Sequence, residues 1–224
     1  ARKGHGMTLP LRLAAIEAAL GTLFPRHVAV AAERISPSQT HPLWPEELAS
    51  IAGAVPARRA EFAAGRTAAR RCLAALGRVP AGLAIGKDRA AVWPSGVFGS
   101  ISHAHGLAVA AAGLSAPLGV DLELDEEIEP DLWPVVCTAD ELAKLPRDDP
   151  GRWVRRAFAA KEAVFKAQAP EQRVMFDFDA VQITLADETF VARFLQDQGR
   201  FATGTVIDGR LAFAQGLVLA GVSL

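Results

Sequence analysis

The feature that most constrains the fold is one predicted helix, residues 150–169, because it places a lysine among core-facing side chains. Asp149 can cap this helix and Pro150 suits its first turn. At about 100° per residue the apolar side chains form one wide stripe, and Lys161 lies inside it. A lysine on a buried face is costly unless an anion pairs with it. The helix therefore predicts either a lysine that reaches water or a polar pocket where the stripe ends.

Two more charged residues lie at the edge of the same stripe. Glu162 and Lys166 are four positions apart, so they share one side of the helix. They form either a solvated surface pair or, with Lys161, the polar lining of a pocket. The helix by itself does not distinguish these alternatives.

A second constraint comes from residues 117–124, where two acidic residues alternate with apolar ones. In a strand, Asp121 and Glu123 project from the same face. Carboxylates that close repel each other unless a cation or several donors lie between them. Mg²⁺ takes oxygen ligands, usually with a substrate phosphate in its shell, so a third carboxylate from elsewhere would complete a cation site. The alternative is a polar strand face that continues into the acidic residues 125–127.

The segment that begins at Pro56 predicts a long helix that ends near Gly77 and is rich in arginine. Guanidinium groups match the geometry of phosphate. This helix is therefore either an anion-binding surface or an ordinary solvated basic face. Its arginines are Arg58, Arg59, Arg66, Arg70 and Arg71.

A serine and two histidines lie where a predicted strand ends. The strand continues to His103, and the chain then turns at Gly106. Ser102 and His103 therefore lie either in a functional loop or in a plain polar turn. His103 and His105 are two positions apart, so they would face the same way on an extended chain and could form a metal pair.

Both halves of the chain contain a long helix and several alternating segments, which predicts an α+β fold. We expect two similar lobes in a pseudo-twofold arrangement, residues 7–116 and 117–224. Each lobe has a long helix on a mainly antiparallel sheet, and the active site lies in the cleft between them. The predicted strands are 27–33, 83–93 (a strand or hairpin), 97–103, 107–112, 117–124, 174–186, 189–195, 203–208 and 211–219, with Asp208-Gly209 as a hairpin turn.

Composition narrows the possible functions. Basic and acidic residues nearly cancel, 24 against 25, so bulk charge does not suggest nucleic-acid binding. The two cysteines, Cys72 and Cys137, form no metal pattern, and a reducing, cytoplasmic location is the simplest expectation. No apolar run reaches membrane-spanning length. Met7 is the expected native start.

Three ordered motifs resemble those of the 4′-phosphopantetheinyl transferases, specifically the larger surfactin/enterobactin-synthase type. They are Gly99-Ser100-Ile101-Ser102-His103, Gly119-Val120-Asp121-Leu122-Glu123, and the helical stretch from Phe158 to Lys166 with its Lys161-Glu162-Ala163 centre. The arginine helix between Arg58 and Arg70 and the sequence Trp93-Pro94-x-Gly96 are similar to the enterobactin-type branch. One departure is Phe158, where the surfactin-type enzymes often have tryptophan, but the aromatic bulk is kept.

The resemblance implies that the phosphopantetheine arm of coenzyme A is transferred to a serine of an apo acyl- or peptidyl-carrier protein, and that adenosine 3′,5′-bisphosphate is released. It implies Mg²⁺, or Mn²⁺, held by Asp121, Glu123 and Glu162. Glu162 would also be the general base, with a neutral Lys161 as the alternative, and Lys166 would reach the phosphates. The coenzyme A-binding residues implied are Arg58, Arg66 and His103 at the 3′-phosphate, with Lys87, Arg89 and Ser102 nearby.

Two other function classes remain open from the residues alone. A metal-dependent hydrolase would use His103, His105, Asp121 and Glu123 as ligands. A non-enzymatic module would bind coenzyme A or a carrier protein without turnover. The transferase prediction expects a monomer that serves carrier proteins of fatty acid, polyketide or nonribosomal peptide synthesis, siderophore pathways included, with no nucleic-acid or membrane partner.

Overall fold

A computed structural model describes residues 12–36, 41–87, 89–168 and 177–224. Expectations that fall on other residues, such as the start at Met7 and the first part of the strand at 174–186, lie outside the described residues. No helix of the described chain is long and apolar enough to cross a membrane.

The described elements follow one another in an α+β order. Short 3₁₀ turns at Pro130–Leu132 and Phe178–Ala180 precede α4 and β5. The helices and strands are α1 (Leu13–Leu23), β1 (Ala29–Arg34), α2 (Pro45–Ser50), α3 (Pro56–Ala75), β2 (Phe98–Ala104), β3 (Leu107–Gly113), β4 (Leu118–Leu124), α4 (Trp133–Val136), α5 (Ala139–Ala143), α6 (Pro150–Lys166), β5 (Val181–Leu185), β6 (Thr189–Phe194), β7 (Val206–Ala214) and β8 (Leu217–Ser223).

The strands form two antiparallel sheets, which confirms the predicted fold class. One has the order β1-β3-β2 and the other β4-β8-β7-β6-β5. Helix α3 packs on the first sheet and α6 on the second, while α1 contacts both β1 and β7. The sheets meet where β2 lies beside β4, and there the backbone N–H of Val120 donates to Ser100 Oγ at 3.1 Å. The serine and acidic motifs are therefore neighbours in space.

Apolar burial explains the position of each long helix. Under α6 the buried side chains include Val154, Val164, Phe190 and Phe194. Burying one such side chain contributes about 1.5–3 kcal/mol. A smaller core with many alanines separates α3 from its sheet, and small side chains let that helix lie close to the strands.

The predicted hairpin turn at Asp208-Gly209 is wrong. Asp208-Gly209 lies inside β7, and the β7–β8 hairpin turns instead at Gln215-Gly216, whose φ values of 52° and 78° suit a tight hairpin. Gly209 is a glycine because the ring of Phe190 packs on its Cα, where a Cβ would overlap the ring. Within the segment 83–93, predicted as a strand or hairpin, Ile85 and Ala91 form an antiparallel bridge, and the backbone N–H groups of Gly86 and Val92 donate to the carbonyls of Ala90 and Ala84, which agrees with the hairpin alternative.

Candidate active site

A glycine brings the predicted catalytic helix onto the acidic strand. A Cβ on Gly119 would overlap the carbonyl oxygen of Ala163 and crowd the amide of Ala167. Only a residue without a side chain lets the backbone of α6 approach β4 this closely. The approach places Glu162 and Lys166 of α6 beside Asp121 in the middle of β4.

The three predicted metal ligands line one cavity, which we call the acidic cavity. It has a volume of about 270 Å³. Its walls come from β2, β4 and α6, so residues far apart in the chain meet there. The lining residues are Ile101, Ser102, His103, Asp121, Glu123, Phe158, Glu162 and Lys166.

Asp121 is the most constrained carboxylate of this cavity. Its Oδ1 accepts from Lys166 Nζ at 2.5 Å and from Ser102 Oγ at 2.7 Å. Lys166 Nζ also donates to Ser102 Oγ at 3.0 Å. Its other oxygen, Oδ2, is buried and has no hydrogen-bond partner among the described residues. A buried carboxylate oxygen without a donor is costly, so this atom is suited to a cation.

The other two carboxylates are affected by burial and by each other. Burial, followed by the charge of Asp121, raises the pKa of Glu123, and Arg155 opposes that rise. Burial raises the pKa of Glu162 too; Lys166 lowers it, and Asp121 and Glu123 add to the rise. Three carboxylates that repel one another across a small cavity would gain from a bound cation.

The carboxylates nevertheless do not converge at ligand distance. In the part of the chain that the structure describes, no three Asp, Glu, His or Cys side chains are placed to hold a metal ion as they stand. Two of the three are engaged by cations, Asp121 by Lys166 and Glu123 by Arg155 at 3.3 Å. The donor set and the unpartnered Oδ2 fit a divalent ion, and the ligand assignment stays a prediction.

A second cavity, which we call the arginine cavity, lies beside the first and has a volume of about 330 Å³. Arg58, Arg66, Arg89 and His103 line it. Arg66 is largely buried, stacks 4.1 Å from the centre of the Phe62 ring, and donates to the Leu83 carbonyl at 2.6 Å. Burial lowers the pKa of Arg66 to about 10, with Glu47 opposing, so the guanidinium stays charged at neutral pH.

His103 and Arg58 form a pair at the mouth of the arginine cavity. Arg58 Nη1 lies 2.7 Å from His103 Nε2 and 3.2 Å from Glu61 Oε2. Because a guanidinium only donates hydrogen bonds, Nε2 accepts this one and His103 is neutral. Burial, followed by the charge of Arg58, lowers the pKa of His103, in agreement with the neutral form.

The remaining arginines of α3 have structural roles. Arg70 donates to Glu47 at 2.6 and 2.7 Å, and the same carboxylate accepts from the backbone N–H groups of Trp44 and Leu83. Arg71 pairs with Glu17 and Glu33, and Arg59 donates to the Ile51 carbonyl. The partner of Arg70 could not be predicted from the sequence, because the only local signal at Glu47 is its place in the first turn of a short helix.

The expectation that Lys161 points into a pocket with Glu162 is wrong. Its side chain is fully buried on the other side of α6. Nζ donates to the carbonyls of Val136 (2.9 Å) and Phe178 (2.8 Å) and to Glu141 Oε2 (2.8 Å). Three partners satisfy all three N–H groups of the ammonium. The ion pair with Glu141 and the two carbonyls therefore offset the free-energy cost of burying Lys161, and no local sequence pattern predicted these partners.

His103 and His105 do not face the same way. Strand β2 ends at Ala104, and His105 has a φ of 51° in the turn that follows. Its Nε2 lies 3.7 Å from Glu123 Oε2, whereas His103 faces Arg58. The paired-histidine site expected for a hydrolase is absent from these described residues.

A third, more apolar cavity of about 480 Å³ completes the site. It lies between the loop that precedes β2, the starts of β2 and β4, and the end of α6, and Lys87 and Trp93 are among its lining residues. The ring of Trp93 packs on Gly99, where a Cβ would overlap it. Lys166 lines all three cavities, so its ammonium stands where they meet.

Comparison with known proteins identifies the family that carries this arrangement. The profile of the 4′-phosphopantetheinyl transferase N-terminal domain matches residues 45–113, and that of the 4′-phosphopantetheinyl transferase superfamily matches residues 117–215. The 4′-phosphopantetheinyl transferase Svp of Streptomyces mobaraensis is 38% identical over 194 residues, which cover 81% of this chain and 78% of that protein. The chain belongs to the 4′-phosphopantetheinyl transferase superfamily.

Two other relatives match similar or shorter stretches of the chain. PptT of Mycobacterium tuberculosis is 33% identical, over 80% of this chain and 85% of that protein. The enterobactin synthase component D of Salmonella typhi is 34% identical over 62% of this chain and 59% of its own length. These matches confirm the resemblance noted in the sequence, including its enterobactin-type features. The protein is a transferase, and the hydrolase and the non-enzymatic module are not supported.

Proposed function

We propose that this phosphopantetheinyl transferase moves the 4′-phosphopantetheine group of coenzyme A to a serine of an apo acyl- or peptidyl-carrier protein and releases adenosine 3′,5′-bisphosphate. The reaction depends on Mg²⁺, with Mn²⁺ as a substitute. The observation that carries the proposal is the meeting of an acidic cavity and an arginine cavity at Lys166. A nucleotide diphosphate with a bound cation needs both kinds of lining.

The arginine cavity takes the nucleotide end of coenzyme A. Arg58, Arg66 and His103 receive the 3′-phosphate, since a fixed guanidinium fork matches phosphate oxygens. Arg66 is pre-positioned by its bond to the Leu83 carbonyl, so little side-chain entropy is lost on binding. Arg89 lines the same cavity and Lys87 lines the neighbouring apolar cavity, and both would contact the rest of the nucleotide.

Asp121, Glu123 and Glu162 would hold the divalent ion. When bound, the ion neutralises the charge that develops on the diphosphate oxygens during transfer. The unpartnered Oδ2 of Asp121 supports this assignment. Ser102 donates its single O–H to Asp121 in the structure, and it would donate that O–H to a phosphate oxygen instead when coenzyme A is bound.

Two side chains of α6 would act in the transfer step, one on the proton of the carrier serine and the other on the negative charge of the phosphates. Glu162 accepts the proton of the carrier serine, because its carboxylate lines the acidic cavity where the serine would meet the phosphates. Lys166 contacts the phosphates from the junction of the cavities and stabilises the leaving group. Lys161 is too deeply buried to serve as the alternative base.

The test is to incubate the protein with an apo carrier protein, coenzyme A and Mg²⁺ and to weigh the intact carrier by mass spectrometry. We expect a gain of one phosphopantetheine group, and no gain with Glu162→Gln or after chelation of the metal. Glu188→Gln serves as a control that retains transfer, because Glu188 is exposed and lines none of the three cavities. An unmodified carrier across fatty acid, polyketide and nonribosomal peptide systems would refute the proposal.

The similarity to enterobactin synthase components favours carriers of siderophore or related nonribosomal peptide assembly. The two sheets in one chain supply all the assigned residues, so a monomer suffices. Coenzyme A and carrier proteins meet in the cytoplasm, which we propose as the site of action.

A further inference from the structure

The face of α6 that lies toward β4 carries a cation on each side of Glu162. Arg155, Glu162 and Lys166 are spaced by seven and four residues, so they fall within about 40° of one another around the helix. Lys166 engages Asp121 and Arg155 engages Glu123. Two predicted metal ligands are therefore paired with side chains of the helix that supplies the third.

These pairs are not equivalent to the ion pairs that fasten the helix. Arg156, the next residue, makes a two-point contact with Asp125, at 2.8 Å from Nε to Oδ1 and 2.8 Å from Nη2 to Oδ2. It also stacks 4.6 Å from the centre of the Phe213 ring. Arg156 therefore fixes α6 to the sheet, because two of its guanidinium nitrogens are hydrogen-bonded and its flat face is stacked on a ring.

Arg155 makes a weaker contact. It reaches Glu123 through one nitrogen, Nη1, at 3.3 Å, and its Nε is buried without a hydrogen-bond partner among the described residues. The Glu123 oxygen that it contacts, Oε2, also lies near His105. A single long contact with an unsatisfied Nε is unlike the Arg156 contact and resembles a pairing that a better partner can displace.

We propose that Arg155 competes with the divalent ion for Glu123 and so lowers the affinity of the metal-free enzyme for that ion. The proposal rests on the metal ligands of the proposed function. Without the metal, the Arg155 guanidinium neutralises the charge of the Glu123 carboxylate. The divalent ion must displace Arg155 before it can bind that carboxylate. The metal therefore binds weakly until the phosphates of coenzyme A add ligands of their own.

The expected magnitude follows from Coulomb's law. A unit positive charge close to a divalent ion, in the high effective dielectric of a partly exposed site, changes its binding constant by about tenfold. Removing the charge of Arg155 should therefore tighten binding of the ion, whereas removing a residue that merely orients Glu123 would weaken it. The sign of the effect separates the two roles.

The experiment is titration of the full chain with Mn²⁺ alone, followed by electron paramagnetic resonance of the free ion. We expect Arg155→Gln to lower the dissociation constant by about tenfold, and Arg155→Lys, which keeps the charge, to stay near the wild type. Arg152→Gln is the matched control: Arg152 lies one turn earlier on α6 and pairs with Asp149 at 3.0 Å, so its loss should leave the constant at the wild-type value.

An unchanged or raised dissociation constant in Arg155→Gln overturns the inference. If Glu123→Gln still abolishes Mn²⁺ binding in that case, the ligand assignment and the proposed function stand without it. If wild-type protein binds no Mn²⁺ but transfers phosphopantetheine, the metal assignment fails and the inference fails with it. A thermal unfolding curve for each variant confirms that the titrated protein is folded.

Discussion

Replacing Lys161 with methionine tests whether this lysine is structural or catalytic. Its ammonium donates three hydrogen bonds of 2.8–2.9 Å inside the protein. Its partner Glu141 is almost fully buried and also accepts from the backbone N–H groups of Thr138 and Ile183, each at 2.6 Å. The pair joins α6 to α5 and to β5, an edge strand of the larger sheet. Lys161→Met leaves the Glu141 charge buried and without its cation.

Breaking one side of a buried ion pair costs about 3–5 kcal/mol. For a chain of this size each kcal/mol lowers the unfolding temperature by about 2–4 °C, so Lys161→Met should lower it by about 6–20 °C. In the double variant with Glu141→Gln the loss should be smaller than the sum of the single losses, because no unpaired charge is left. Lys144→Met, at an exposed pair with Asp140, should change stability by less than about 0.5 kcal/mol.

The assay is urea unfolding followed by circular dichroism, together with carrier transfer measured well below the unfolding temperature. We expect folded Lys161→Met to retain transfer, since Nζ does not reach any of the three cavities. The reasoning is refuted if this variant unfolds like the wild type but no longer transfers, because Lys161 would then act in the chemistry.

Three further predictions follow from the same contacts. Gly119→Ala should destabilise the protein by about 1–3 kcal/mol and reduce transfer, because the added Cβ would overlap the backbone of α6. Gly53→Ala is the control and should change neither property, because a Cβ at Gly53 meets no atom within 4 Å. An unfolding curve of Gly119→Ala that matches the wild type contradicts the packing argument. Glu162→Gln should raise the unfolding temperature of metal-free protein at neutral pH, because the pKa of Glu162 is raised and its ionised form opposes folding. That gain should vanish below the ordinary pKa of 4.5, where both states are protonated, and its absence at neutral pH would contradict a raised pKa for Glu162. Arg66→Ala should raise the KM for coenzyme A far more than for its 3′-dephospho form, and an equal effect on both removes Arg66 from the 3′-phosphate site.

Periodicity and motif spacing predicted the parts of the fold that depend on neighbouring residues. The helix over α6 and the strand over β4 follow from local apolar patterns, and both form near their expected bounds. The cavity shared by Asp121, Glu123 and Glu162 could be anticipated only because the resemblance supplied the third residue. Nothing in the spacing of two segments 39–41 residues apart fixes where they meet.

The errors have a common physical origin, which is a partner that lies far along the chain. Lys161 was placed on the correct face of its helix, but periodicity gives no sign of Glu141 and the two carbonyls that satisfy it. Arg70 shares a helix with Arg66, yet Glu47 removes it from the anion site. Gly209 looked like a turn residue because its real function, accommodating the Phe190 ring from another strand, is a tertiary contact.

The central claim is that one divalent ion lies among the carboxylates of β4 and α6, beside the phosphates of coenzyme A. A crystal of the protein with coenzyme A and Mn²⁺, measured at a wavelength where manganese scatters anomalously, tests it most directly. We predict one anomalous peak bonded to oxygens of Asp121, Glu123 and Glu162 and to the diphosphate. Bound coenzyme A with no peak at these three side chains, or with a peak held by other residues, would contradict the account.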